Sequence, residues 1–483
     1  MYVVKLDGAS SEERFGMKSA AVADLKKSAL PVPKGFVLSP DALDMFISEN
    51  GLEGKIRTVS ETTHKGMTGL DAIKKNIDYL FTNSQIPEAV KKEVLAAYGN
   101  LSLSEDVRRA DTAALDLIKV GRNHERVAVR SSIVRGQENS FAGVTSSFLN
   151  VTGDDELCKS IKLCWASAFH PHMLLYSERK GVDGLPRMSI IVQRMVDSDK
   201  SGSMLTNFVK DKILVEAAWG LGNAVSSGIV TPDEYLLHGN GALMEKNISK
   251  KLGMYVRNAM SGKTEKEPVP GNKMDAQVLT DSEMRKLCEL AEKVQGSKSC
   301  QLQIDWCIAR NRVFLLDVKE GNFEIERRDE QPGEALVTGR CASRGTGTGS
   351  IVKYPGDDGN QFDETCIVVS ESPSLHVLLA FPDIAGYVSN EGGRLCNFSI
   401  LARELRVPAL TATRNASSIL HEGDSVRILA EHGKVIAAEQ EPEPEPQAIQ
   451  PSFPVEGPGM DFPLPAEPMQ PAAVPSPHFQ PAA

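Results

Sequence analysis

Nowhere in the 483 residues is there an apolar run long enough to cross a bilayer, and Met1-Tyr2-Val3-Val4-Lys5 lacks the charged and apolar regions of a signal peptide. No membrane partner is expected, and a cytoplasmic location is. Metal-binding and disulfide frameworks are missing too. The eight cysteines, at 158, 164, 288, 300, 307, 341, 366 and 396, include no Cys-x-x-Cys pair and none beside a suitably spaced histidine. They read as buried thiols in a reducing compartment. Basic blocks are absent as well: the net charge is −10 with the two signs interspersed, which argues against a nucleic-acid partner.

What is present is an ordinary globular composition, in a chain too long for one core, so two to three domains are expected. From Gln440 onward the sequence changes character to Glu-Pro repeats and proline-spaced apolar residues that hold about half of all the prolines. Such a segment lacks the apolar density to form a packed core and reads as a disordered tail over 440–483.

The densest local signal lies between Ser389 and Pro408. A Gly392-Gly393 pair follows the apolar strand Ile384 to Val388, and Phe398 to Leu405 then reads as a helix stopped before Pro408. Asn397 stands at the mouth of that helix, where free N–H groups favour an anion and where asparagine serves well as an N-cap. Upstream, Val127-Ala128-Val129-Arg130-Ser131-Ser132 reads as a strand leading into a polar loop that contains Gly143. Arg130 is placed to grip a phosphate through two hydrogen bonds. A helical stretch from Leu157 to Tyr176 separates this loop from the buried strand Met188 to Val196.

Two further runs, Gln301 to Ala309 and Arg312 to Glu320, alternate across Arg310-Asn311 and predict a β-hairpin. With the turn centred on Asn311, residues whose numbers sum to 622 face each other: Asp305 opposite Asp317, and Gln303 opposite Lys319. Two opposed carboxylates repel, so a cation is expected between them. Mg²⁺ suits the place, since it takes one or two carboxylates and completes its shell with water and nucleotide phosphates. A register slip, or neutralisation by Lys319 and Arg312, is the alternative.

These stretches together resemble the phosphoenolpyruvate synthase and pyruvate phosphate dikinase family. The resemblance rests on Gly16-Met17-Lys18 with Val32-Pro33-Lys34-Gly35-Phe36, on Ala128-Val129-Arg130-Ser131-Ser132 with Ser140-Phe141-Ala142-Gly143, and on Gln193-Arg194-Met195-Val196. It continues through Glu216-Ala217-Ala218-Trp219-Gly220-Leu221-Gly222, Pro232-Asp233, Ile304-Asp305-Trp306, and Gly392-Gly393 through Ala402-Arg403-Glu404. The implied fold class is α/β: an ATP-grasp-like nucleotide domain over 1–325, a linker over 326–338, and a swivelling β/α domain over 339–439.

The implied ligands are ATP and Mg²⁺. Lys18 and Arg130 would hold the phosphates, Gln193 and Glu216 the nucleoside, Asp305 and Asp317 the metal, and Lys319 the transferring phosphoryl group. Departures from the family pattern fall where chemistry is done: Asn223 for glutamate, Asp317 for glutamine, Lys319 for arginine, and Asn397 for the phosphate-carrying histidine. The family's barrel domain has no counterpart in these residues. The resemblance thus implies an ATP-dependent phosphotransferase of the phosphoenolpyruvate synthase type, acting with a separate barrel subunit or a small-molecule acceptor. The alternative is an ATP-binding pseudoenzyme with a sensing or scaffold role.

Overall fold

The computed structural model describes residues 1–64, 70–101, 124–134, 143–179, 181, 186–209, 211–296, 298–321, 334–355 and 362–438. The Ser140-Phe141-Ala142 part of the phosphate-loop motif, most of the linker and the proline-rich tail lie outside them. Among the described residues the strands make four sheets. The first has five antiparallel strands in the spatial order Val3–Lys5, Gly35–Leu38, Arg187–Arg194, Val127–Val134 and Ser147–Val151. Helices pack on one face through Phe46, Phe81, Trp165 and Phe169, which bury completely against Leu38, Val129 and Ile190.

The expected single helix from Leu157 to Tyr176 is instead two, Asp154–Ala166 and Pro171–Arg179, joined by the turn Ser167–Phe169. Pro171 is the cause: it forces His170 into an extended conformation (φ −65°, ψ 150°) and cannot donate to the preceding turn.

The second sheet has six antiparallel strands, in the order Arg312–Gly321, Gln301–Ala309, Lys200–Leu205, Lys212–Trp219, Asp233–His238 and Leu243–Asn247. The helix Met17–Lys27 lies between the two sheets: Val22, Ala23 and Leu25 share one core with Val37 and Ile191 on one side and with Ile304 and Leu315 on the other. Burial on both sides fixes this helix, and with it Lys18 in its first turn. A small hairpin, Gly253–Arg257 with Thr264–Pro268, stands beside the second sheet, and the isolated pairing of Gly220 with Tyr255 attaches it there.

The fourth sheet is built from residues 337–437 and has eight strands, of which Thr346–Tyr354, Cys366–Ser370, Gly386–Ser389 and Ala409–Thr411 run parallel. Val337–Thr338, read from the sequence as the end of the linker, already pairs with Lys434–Ala437. The signature helix runs Asn397–Leu405, one residue longer than expected. Residues Met1–Ala438 form one compact unit.

A buried ion pair anchors the far end of the second sheet. Asp233 accepts from Lys251 Nζ at 2.5 Å, from Ser249 N at 3.0 Å, and through its second oxygen from Tyr235 Oη at 3.0 Å and Val278 N at 2.9 Å. Both side chains are essentially inaccessible, at 1% and 0%. Removing one partner of such a pair leaves a buried charge unmatched. We predict that Lys251→Ala lowers unfolding free energy by about 3–5 kcal/mol, measured by urea denaturation.

Candidate functional site

A cleft of about 960 Å³ opens between the first and second sheets. Arg130, Ala128 and Gln193 line it from the five-stranded side, and Asp305, Ser203 and Cys307 from the six-stranded side. The local sequence explains how the polar groups meet. Arg310 and Asn311 both take positive φ (49° and 60°), as a two-residue hairpin turn requires. That turn pairs Ala309 with Arg312 and Trp306 with Leu315, a register summing to 621 rather than 622. A bulge at Leu316 then shifts the register, so that Asp305 does pair with Asp317 and Gln303 with Lys319. The expected pairing is met, but the bulge and not the turn produces it. Had the register of the turn continued past Leu315, Asp317 would lie opposite Ile304 and point to the other face of the sheet.

Arg130 reads the bulge directly. Its Nη1 donates to the unpaired Leu316 carbonyl at 2.6 Å and its Nη2 to Asp317 Oδ2 at 3.0 Å. The remaining oxygen, Oδ1, accepts from Val318 N at 3.0 Å, and Lys18 Nζ stands 4.0 Å from Oδ2. Lys18 is held there because Phe15 O accepts from Ser132 Oγ at 2.9 Å and Ser19 N donates to the same hydroxyl at 3.0 Å, which pins the helix start against the Arg130 strand. Although 28% of its side chain stays exposed, desolvation, aided by the Arg130 and Lys319 charges and opposed by Asp317 and Asp305, brings its ammonium down to about 8. Asp305 accepts from Ser203 Oγ at 2.5 Å and lies 3.8 Å from Lys319 Nζ.

The remaining expected residues fall in two places. Gln193 is buried in the cleft wall, with Nε2 donating to Pro33 O at 3.3 Å. Glu216 does not line the cleft, and its carboxylate is taken by the backbone of the signature loop: Arg394 N donates at 2.6 Å and Leu395 N at 3.3 Å. Asn397 is not the N-cap. Cys396 occupies that position in an extended conformation, Ile400 N donates to Cys396 O at 3.1 Å, and Asn397 is the first helical residue. Its side chain packs on Gly143, where an added Cβ would lie 2.7 Å from it.

Glu216 and Asp305 nevertheless belong to one row. Strand pairing aligns Asp317, Asp305, Ser203, Glu216 and Glu234 across five consecutive strands, so all five side chains share a face of the second sheet. One end of the row looks into the cleft, and the other meets the signature loop. Sequence reading missed Ser203 and Glu234. The alternation of Ser201-Gly202-Ser203 was a signal for the first, while the second needed the strand order. Among the described residues, no group of three or more His, Cys, Asp or Glu side chains is arranged to hold a metal ion.

Arg130 and Asp317 are mutually dependent, with side-chain exposures of 16% and 2%. A double-mutant cycle of Arg130→Met and Asp317→Asn, read by urea denaturation, should give a coupling energy of about 1.5–3 kcal/mol, the range for a hydrogen bond between charged partners.

Against known proteins, residues 12–336 match the family model described as "Pyruvate phosphate dikinase, AMP/ATP-binding domain", and residues 362–433 the one described as "PEP-utilising enzyme, mobile domain". A "Probable phosphoenolpyruvate synthase" of Methanothermobacter thermautotrophicus is 30% identical over 434 residues, covering 87% of this chain and 61% of the relative. The corresponding protein of Archaeoglobus fulgidus is 30% identical, covering 91% and 58%. The phosphoenolpyruvate synthase of Pyrococcus furiosus is 28% identical, covering 87% and 56%. The chain spans about three-fifths of the length of these relatives.

Proposed function

Because the chain belongs to the family of the pyruvate phosphate dikinase AMP/ATP-binding domain, we propose that the cleft binds Mg·ATP, in an ATP-grasp-like arrangement, for phosphoryl transfer of the phosphoenolpyruvate synthase type. The observation that carries this reading is Arg130. It reaches from the first sheet to the bulged hairpin of the second and gathers Asp317, Lys18 and the Leu316 carbonyl at one place in the cleft. In this reading Lys18 and Arg130 meet the phosphates and Gln193 faces the nucleoside.

The two carboxylates fit a metal unequally. Asp305 lines the cleft, with one oxygen on Ser203 and the other facing Lys319, and it fits the role of an Mg²⁺ ligand. Both oxygens of Asp317 are already engaged, which suits an organiser of Arg130 and Lys18 better than a principal ligand. A bound Mg²⁺ would neutralise phosphate charge, and the rest of the work is positioning.

An amide lacks the nucleophilicity to carry phosphate, so Asn397 is not the acceptor. The phosphoryl group would pass to a bound small molecule or to a histidine on a separate barrel-type subunit. A second reading, a nucleotide-binding pseudoenzyme, is favoured by the close packing of Asn397 on Gly143. Radiolabelled ATP separates the two: release of AMP and phosphate supports transfer, and binding without any turnover in the presence of candidate acceptors supports the pseudoenzyme.

Two outcomes test the cleft itself by calorimetry. Asp305→Asn should weaken Mg·ATP at least about tenfold, with less effect on ATP in EDTA, the scale of a lost charge-assisted contact. Lys18 gives a pH signature. Its ammonium titrates at about 8 in the free protein, and bound phosphates would hold the proton more firmly. Affinity should therefore stay level below pH 8 and fall as the pH rises beyond it, while Lys18→Met binds weakly and loses that fall.

A further inference from the structure

Glu216 is a fully buried acid for which the nucleotide cleft has no use. Both of its oxygens are occupied by the signature loop, Oε1 by Arg394 N at 2.6 Å and Oε2 by Leu395 N at 3.3 Å. Gly393 comes just before these donors, and a Cβ there would lie 2.5 Å from Oε2, so only a residue without a side chain lets the loop approach this closely. Neighbouring strands add to the grip. Gln303 Nε2 donates to Leu395 O at 2.9 Å, and Arg394 Nε lies 3.4 Å from Glu234 Oε2. Leu395 and Ile400 bury against Leu205 and Leu214. Thr231 Oγ1 donates to Glu391 Oε2 at 2.5 Å.

We propose that Glu216 is a positioning residue: by holding the backbone of Arg394 and Leu395 it docks the signature loop onto the second sheet and so sets where the first turn of the Asn397–Leu405 helix stands. The ligand of Glu216 is therefore a segment of this chain rather than a nucleoside. Its strand neighbour Ser203 holds Asp305 in the cleft, so the docked loop and the candidate metal ligand are separated by a single strand of the same sheet.

The charged surroundings make the grip sensitive to protons. Burial first, then Glu234, push the Glu216 carboxyl up to about 7, against Arg340 and the two N–H donors. Arg394, Arg403 and the Cys396 thiol are further titratable groups near it among the described residues. If the loop leaves, water reaches the carboxyl and returns it toward 4.5. Docking then takes up a proton. The grip is strongest at acidic pH and weakens as the pH rises from the ordinary carboxylate range to about 7.

The test is hydrogen exchange of the full chain without nucleotide, followed by mass spectrometry of peptides spanning Gly393 to Cys396 and corrected for intrinsic rates. Glu216→Ala should speed exchange there about tenfold or more, as loss of the two backbone hydrogen bonds to its carboxyl predicts. Wild-type protection should fall between pH 5 and pH 7.5, and Glu216→Gln should abolish that dependence while changing Mg·ATP affinity by less than about twofold, below the tenfold that one lost polar contact costs. If nucleotide affinity drops in Glu216→Gln while loop exchange is unchanged in both variants, the proposal is overturned and Glu216 is a nucleoside ligand. Should Glu216→Ala fail to fold, Gly393→Ala, which sets a methyl against Oε2, is expected to loosen the same peptide; unchanged exchange there also sinks the idea. Because the exchange is read without nucleotide, failure of the Mg·ATP reading would leave this result intact.

Discussion

Carboxylates aligned across one face of a sheet repel unless each has its own counter-charge or donor, and the second sheet places four of them in a single row. Asp317 is matched by Arg130 and Lys18, Asp305 by Ser203 and Lys319, Glu216 by two backbone amides, and Glu234 by Arg394 and Arg340. Three of these matches come from outside the sheet: from the first sheet and its adjoining helix, and from the C-terminal sheet and its signature loop. Satisfying the row therefore requires the other parts of residues 1–438 to close around it. The row, together with shared apolar cores such as that of Met173 and Tyr176 with Phe398, joins these parts, and it sets the cleft and the loop on the same sheet face.

The bulge at Leu316 has a disproportionate share in this. The shift of register keeps Asp317 on the face of Asp305 and leaves Leu316 without an opposite residue, and Arg130 bonds to the carboxylate of the one and the carbonyl of the other. An arginine suits the position because its planar fork satisfies an amide oxygen and a carboxylate at once, which an ammonium on a flexible stem does less well. Lys18 and Lys319 act as point charges on either side, at 4.0 and 3.8 Å from their carboxylates. Those are looser contacts than the hydrogen bonds that Arg130 makes.

Much of this was legible in the sequence because the signals were local. Strand alternation gave Gln301–Ala309 to the residue, and the hairpin gave Asp305 opposite Asp317. The turn arithmetic alone was off by one, since a bulge leaves no local trace in a run of apolar residues such as Val313-Phe314-Leu315-Leu316. The surroundings of Glu216 were illegible for a different reason. Its motif, Glu-Ala-Ala-Trp-Gly-Leu-Gly, points toward the nucleotide side, and its actual neighbours, Arg394 and Leu395, lie 178 and 179 residues further on. Only the order of the second sheet, in which Lys212–Trp219 lies between Lys200–Leu205 and Asp233–His238, sets it beside Ser203 and within reach of that loop.

The same geometry narrows what Asn397 can mean. Its backbone begins the helix, so the free N–H groups of the first turn are still offered at that end. Its side chain, however, rests on Gly143 at a spacing that would not admit even a methyl group on the glycine. An imidazole is larger than an amide, so restoring the histidine that the resemblance implies would require Gly143 or the loop to move, and that loop is held by Glu216, Gln303 and the packing against Leu205 and Leu214. The asparagine and the docked loop are thus parts of one packing arrangement. A reversal at position 397 alone meets a loop already fixed for a smaller residue, and carrier chemistry would need the docking contacts to relax along with the substitution.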